Sequence, residues 1–167
     1  MPDADQVVIA DTTPLISLSV IGHLHILESL YGKVLIPPAV EDELFFSKSG
    51  RPGFIEVMRP VWIDVIPLRA PKRANLLADL DRGEAEVIAL ALERNADLII
   101  LDERLARQYA RRLELMMTGT LGVLLKAKQQ GLLSELRPLI NELRQNKIRL
   151  SEAVIAEALR LADEESE

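Results

Sequence analysis

Cysteine is absent from this chain of 167 residues. That excludes disulfides, thiolate zinc sites and cysteine nucleophiles, and it makes a reducing cytoplasm the expected compartment. Aromatic residues are scarce, at 4%, so Leu, Ile, Val and Ala must fill whatever core forms. No apolar run approaches the ~20 residues needed to span a membrane. The opening MPDADQVVIA lacks a positive n-region and a long apolar h-region, so no secretory signal is expected. No glycine-rich phosphate loop of the Walker or dinucleotide type occurs. Positive charge is not in excess either. The net charge of −6 argues against binding nucleic acid by bulk electrostatics alone.

What is present supports a well-filled core. Hydrophobic residues make up 49% of the chain, and the length suits one domain over residues 1–167. Its core is expected over about 7–131, followed by two C-terminal helices within about 134–165. Charge is unevenly spread. The tail carries Asp163, Glu164, Glu165 and Glu167, whereas Arg104, Arg107, Arg111 and Arg112 crowd one short stretch.

Short apolar runs alternate with helical patterns. VVIA (7–10), KVLIPP (33–38), VWIDVI (61–66), ADLIILD (96–102) and ELMMTG (114–119) read as strands. Helical patterns cover 14–31 with a break at Gly22, then 39–46, 74–80, 82–95, 103–113 and 120–131. Gly32 suits a helix C-terminus, Pro38 a first helical position, and Ser151 an N-cap. SKSGRPG (47–53) reads as a loop, and 54–59 could hold a helical turn. The alternation predicts an α/β fold, a three-layer α/β/α sandwich around a mainly parallel sheet.

In such sheets, sites lie beyond the carboxyl ends of the strands. Asp11 and Asp102 both stand there. Further acids sit on helices. Glu43 borders the apolar face of 39–46, whereas Glu41 and Asp42 suit solvent. In 82–95, Glu84 lines up with Ile88 and Ala91, and Glu86 lies nearer the polar edge. Each acid also has a plain structural role open to it. A strand-end Asp can cap the next helix, and Glu84 suits a helix dipole. Together, though, Asp11, Glu43, Glu84 and Asp102 could converge on one pocket. Several carboxylates stay ionised side by side only with a compensating cation. All-oxygen ligation suits Mg²⁺ or Mn²⁺, whose use is phosphodiester hydrolysis.

DTTPLISL (11–18), IPPAVEDEL (36–44), LDRGEAEVIALALE (80–93), LIILDERLAR (98–107) and TGTLGVLLKAKQQG (118–131), in this order, resemble the PIN-domain ribonucleases. The likeness is to their toxin-like branch, related to VapC-type toxins, and runs over about 7–160. It implies Asp11, Glu43, Glu84 and Asp102 as catalytic and metal-holding acids, with Thr12 beside the first. It implies Mg²⁺- or Mn²⁺-dependent cleavage of RNA, homodimers, and inhibition by a small antitoxin. The third acid departs from the family's usual Asp, with Glu84 in its place and Glu86 two residues on. Arg104 and Arg107, just past Asp102, could meet RNA phosphates. Thr118 and Thr120 could bind a phosphate or cap the helix after them, and capping is the role expected first.

Other readings carry less. A dehalogenase-like phosphatase needs an Asp at position 13, where Thr13 stands. A receiver-like phosphoacceptor pairs two acids after its first strand, and Asp11 is followed by Thr12. His23 and His25 are expected on different sides of a helix, unable to share a metal. A PIN-like binding or regulatory domain without useful catalysis is the alternative from another class.

Overall fold

A computed structural model describes residues 2–46 and 59–165. The expected loop at 47–53 lies outside the described residues, as does all but the last residue of the expected turn at 54–59. Five strands form one sheet: β1 (Val8–Ala10), β2 (Val34–Ile36), β3 (Ile63–Val65), β4 (Leu98–Ile100) and β5 (Met117–Thr118). Their order is β3-β2-β1-β4-β5, and every pairing is parallel. All three residues of β1 are buried, as expected of a central strand covered on both faces.

The helices are α1 (Thr12–Val20), α2 (Ile26–Tyr31), α3 (Pro38–Glu41), α4 (Arg82–Arg94), α5 (Arg104–Arg112), α6 (Thr120–Gln129), α7 (Arg137–Gln145) and α8 (Glu152–Leu161). Helix α6 packs on α1 and α2, while α4 packs on α3 and α5. The result is a sheet flanked by helices, an α/β/α sandwich. The core is aliphatic. Leu15, Leu18, Ile88, Leu90, Ile99 and Ile100 are fully buried, each stabilising the fold by about 1.5–3 kcal/mol relative to exposure.

Local signals set several boundaries. Gly32 ends α2 at φ 75°, a left-handed angle that glycine adopts without a Cβ clash. Pro38 opens α3 as expected, and Ser151 accepts a bond from the Val154 N–H at the start of α8. Three expectations need correction. The stretch 39–46 is not one regular helix, because α3 passes into a π-helical turn at Asp42–Phe46. The stretch 74–80 is not an α-helix. A 3₁₀ segment occupies Pro71–Leu76, and Asp81 takes an extended conformation to cap α4, which a helix running into it would forbid. His23 and His25 fall in a turn between α1 and α2 rather than on a helix, and their rings stack with centroids 5.8 Å apart.

The C-terminal segment is clipped to the rest by Glu164. Its carboxylate accepts the Leu136 and Arg137 N–H groups at the start of α7, at 2.7 and 3.0 Å. It also pairs with Lys128 of α6 at 3.0 Å. An acid of the charged tail therefore caps one helix and ties it to another.

Candidate functional site

The sheet changes direction of growth between β1 and β4, so a crevice opens beyond their carboxyl ends. Ala10 is in register with Ile100, and the Asp11 N–H donates to the Ile100 carbonyl at 3.0 Å. Asp11 is thus fixed one residue past β1, and Asp102 stands two residues past β4. The two acids therefore stand just past the carboxyl ends of neighbouring parallel strands.

Asp11 occupies the N-cap position of α1 but makes no side-chain cap bond. The residue is only 4% exposed. Burial pushes its carboxyl up to about 7, the Thr12 backbone N–H pulls it down, and the charges of Glu84, Asp81 and Glu43 push it further up. These causes place three more carboxylates in its field.

Glu43 and Asp11 meet over Gly83. A Cβ built on Gly83 would lie 2.6 Å from Glu43 Oε1 and 3.5 Å from Asp11 Oδ1. Glycine is what lets the start of α4 approach Glu43 so closely, with Asp11 in ordinary contact range beside it. Glu43 itself sits in the π-helical turn, a distortion that recurs at functional sites.

Glu84 stands in the first turn of α4 and is 8% exposed. Burial and then the Asp81 charge push it up to about 7, against the Asp81 N–H and alongside the charge of Glu103. It also completes a capping box. The Glu84 N–H donates to Asp81 Oδ1 at 2.8 Å, and the Asp81 N–H donates to Glu84 Oε2 at 3.2 Å. The second Glu84 oxygen takes no part in these bonds.

Glu86 was expected nearer the polar edge, yet it is as buried as Glu84, at 8%. Helix α4 is enclosed on every side over Gly83–Ala91. The Glu86 oxygens are engaged elsewhere, one by the Ala39 N–H at 3.1 Å and one by the Arg82 guanidinium at 3.1 Å. Glu86 therefore caps α3 and fastens it to α4.

Asp102 is held firmly. Its Oδ1 accepts the Thr120 N–H at 2.8 Å and its Oδ2 accepts the Thr120 hydroxyl at 2.5 Å. This corrects the expectation for the threonines. The N-cap of α6 is Gly119 with no side-chain cap bond, so Asp102 caps that helix across space and Thr120 orients Asp102. Gly119 mirrors Gly83: its Cβ would fall 2.5 Å from Asp102 Oδ1 and 3.2 Å from a terminal Arg107 nitrogen. Arg107 is itself pinned by a 2.8 Å bond to the Leu101 carbonyl.

Thr12 is 4% exposed, and its hydroxyl oxygen has no hydrogen-bond partner among the described residues. It does not bond to Asp11. An orphaned buried hydroxyl costs about 1–3 kcal/mol, which marks this spot as one suited to a further polar group.

Sequence reading missed Asp81, Glu103, Gly83 and Gly119. The spacing Asp81-x-x-Glu84 is a capping-box signature, and a glycine inside a helix signals a close approach; both were available. Nothing local announces Gly119.

The donor set fits a hard divalent cation. It is all oxygen, several carboxylates share one field, and an unpartnered hydroxyl lies beside the deepest of them. Among the described residues, however, no three carboxylate or imidazole groups are gathered into a ready metal cage. Mg²⁺ tolerates this, because it keeps several waters and binds through one or two carboxylates plus substrate phosphates.

A family model described as a PIN domain (DUF3368) matches residues 7–164. No curated protein and no solved structure matches the chain.

Proposed function

This chain belongs to the PIN-domain family, whose members are generally nucleases, and on that footing we propose that it is an Mg²⁺- or Mn²⁺-dependent endoribonuclease. The observation that supports this best is the placement of Asp11 and Asp102 just past the ends of the two strands at the sheet's switch point, with Glu43 and Glu84 in the field of Asp11. Asp11 and Asp102 would hold the cation, and Glu43 and Glu84 would complete its surroundings directly or through water. When bound, the ion supplies charge neutralisation at the phosphorus oxygens and lowers the pKa of water.

The chain's own residues prepare that chemistry. The Thr12 N–H steadies the ionised form of Asp11 against burial and the neighbouring acids. Thr120 fixes both Asp102 oxygens. Gly83 and Gly119 leave the carboxylates room at their tips. Arg107, beside Asp102, is placed to attract a substrate phosphate.

The toxin-like resemblance extends the proposal to a homodimer acting in the cytoplasm and restrained by a small antitoxin. No helix among the described residues is long and apolar enough to cross a membrane, which suits an RNA substrate met away from lipid. Growth arrest on expression alone, relieved by co-expression of a neighbouring small gene, would support the toxin role; unimpaired growth would count against it.

A second reading is a PIN-like binding domain with weak or no catalysis. It is favoured by the engagement of Glu84 with Asp81 and by the lack of a ready cage. The test is cleavage of labelled RNA by the purified chain with chelator, then with added Mg²⁺ or Mn²⁺. Cleavage only with metal supports the nuclease. Intact RNA under every condition supports the binding domain.

A further inference from the structure

Two adjoining cavities share Asp102 and Arg107, and Asp11 lines neither. One, of about 490 Å³, is lined by Asp102, Arg104, Arg107, Gln108 and Arg111, among others. The other, of about 340 Å³, shares Asp102 and Arg107 and adds Arg149 from the segment before α8. Arg104, Arg107 or Gln108, and Arg111 recur at helical spacing, so α5 turns one stripe toward the cleft. Arg149 approaches from a different element.

The charge here is unusual for this chain. The net charge is −6, and the ion pairs among the described residues engage Lys33, Arg59, Arg82, Lys128, Arg144 and Arg160. Arg104, Arg107, Arg111 and Arg149 are in none of them. Exposed Arg104 and Arg111 line the first cavity and exposed Arg149 the second, and among the described residues none of the three has an ion-pair partner. On the Asp11 side of the crevice the neighbours are instead Glu43, Asp81 and Glu84. Among the described residues the surroundings of Asp11 are acidic, whereas beyond Asp102 arginines predominate in the cavity lining, which favours a polyanion leaving the site on the Asp102 side.

We infer that the cleft from Asp102 along α5 to Arg149 seats the sugar–phosphate backbone of a single-stranded nucleic acid, on one side of the reacting phosphate. The inference rests on the nuclease reading for its position relative to the cut and extends it by naming Arg111 and Arg149 as strand-binding residues. Guanidinium groups suit phosphates because they donate in a planar fork. Phosphate contacts of this kind set register without reading sequence.

The test is fluorescence anisotropy of a labelled single-stranded RNA oligonucleotide with the full chain in chelator, at several salt concentrations. Arg111→Gln and Arg149→Gln are each expected to weaken binding roughly fivefold. Each should also flatten the slope of log affinity against log salt by about 0.7. Arg160→Gln, whose arginine is paired with Glu157 on α8, should change neither. Unchanged affinity and slope in both cleft variants would overturn the inference, as would failure of the wild type to bind. Displacement of the RNA by polyglutamate at equal charge would overturn it in favour of an acidic protein partner. A wild type that binds through these arginines yet never cuts would sink the nuclease reading and leave the strand seat standing. One that cuts while both variants bind normally would do the reverse.

Discussion

Glu43 and Asp11 come from different elements, a π-helical turn and a strand end, yet both carboxylates lie beside Gly83. The place of a Gly83 Cβ is 2.6 Å from the first and 3.5 Å from the second. Replacing a helical glycine by alanine ordinarily stabilises a helix by about 1 kcal/mol. Here the added methyl must push Glu43 aside. Gly83→Ala is expected to lower the rate of RNA cleavage at least tenfold while the melting temperature stays level or rises. Full activity would show that the contact with Glu43 does not matter to the site.

Glu84 and Glu86 separate by opposite effects. Glu84→Gln keeps a capping-box side chain at the same position and removes a charge the fold disfavours, so stability should hold or, above pH 7, rise while cleavage falls. Glu86→Ala strips the Ala39 N–H and Arg82 of their partner. It is expected to cost about 1–3 kcal/mol of stability, read as a lower denaturant midpoint. The reverse pattern would exchange the two roles.

The pH dependence of stability has a definite sign. Asp11 and Glu84 titrate near 7 when folded, against 3.8 and 4.5 for the free groups. Between about pH 4 and pH 7 the folded chain therefore holds more protons than the unfolded one, and stability falls as pH rises. In chelator the melting temperature should drop across that window and level off above it. Asp11→Asn should flatten the drop and raise the melting temperature at pH 8. Added Mg²⁺ or Mn²⁺, binding only the folded state, should restore stability above pH 7 in the wild type. A wild-type melting temperature that is flat from pH 4 to pH 8 in chelator would contradict this.

Glu164 joins the start of α7 to α6. Glu164→Ala removes two N–H partners and the Lys128 pair. Hydrogen–deuterium exchange should rise in α7, with the strands unaffected. Unaltered protection of α7 would mean the clip contributes nothing measurable.

The strands and their terminal acids were legible because buried parallel strands appear as short apolar runs that stop on a polar residue. β1 and β4 carry Asp11 and Asp102 on that basis alone. The helical acids were harder. Periodicity assigns an outer face only where one exists, and α4 is enclosed over Gly83–Ala91, so Glu86 could not be told from Glu84 by its position. Glu43 depends on a π-helical turn that no local pattern announced. Asp102 caps α6 from 18 residues away, a relation set by sheet order rather than by neighbouring residues. Glu164 is the same case in the tail, since its partners Lys128, Leu136 and Arg137 are distant in sequence.

The most direct test is the single-turnover rate of Mn²⁺-dependent RNA cleavage by wild type and by Asp11→Asn, side by side. The buried carboxylate at the switch point is expected to be worth at least a hundredfold, so the variant should fall by that factor or more while staying folded. Equal rates in the two proteins would contradict a metal-dependent site built on Asp11.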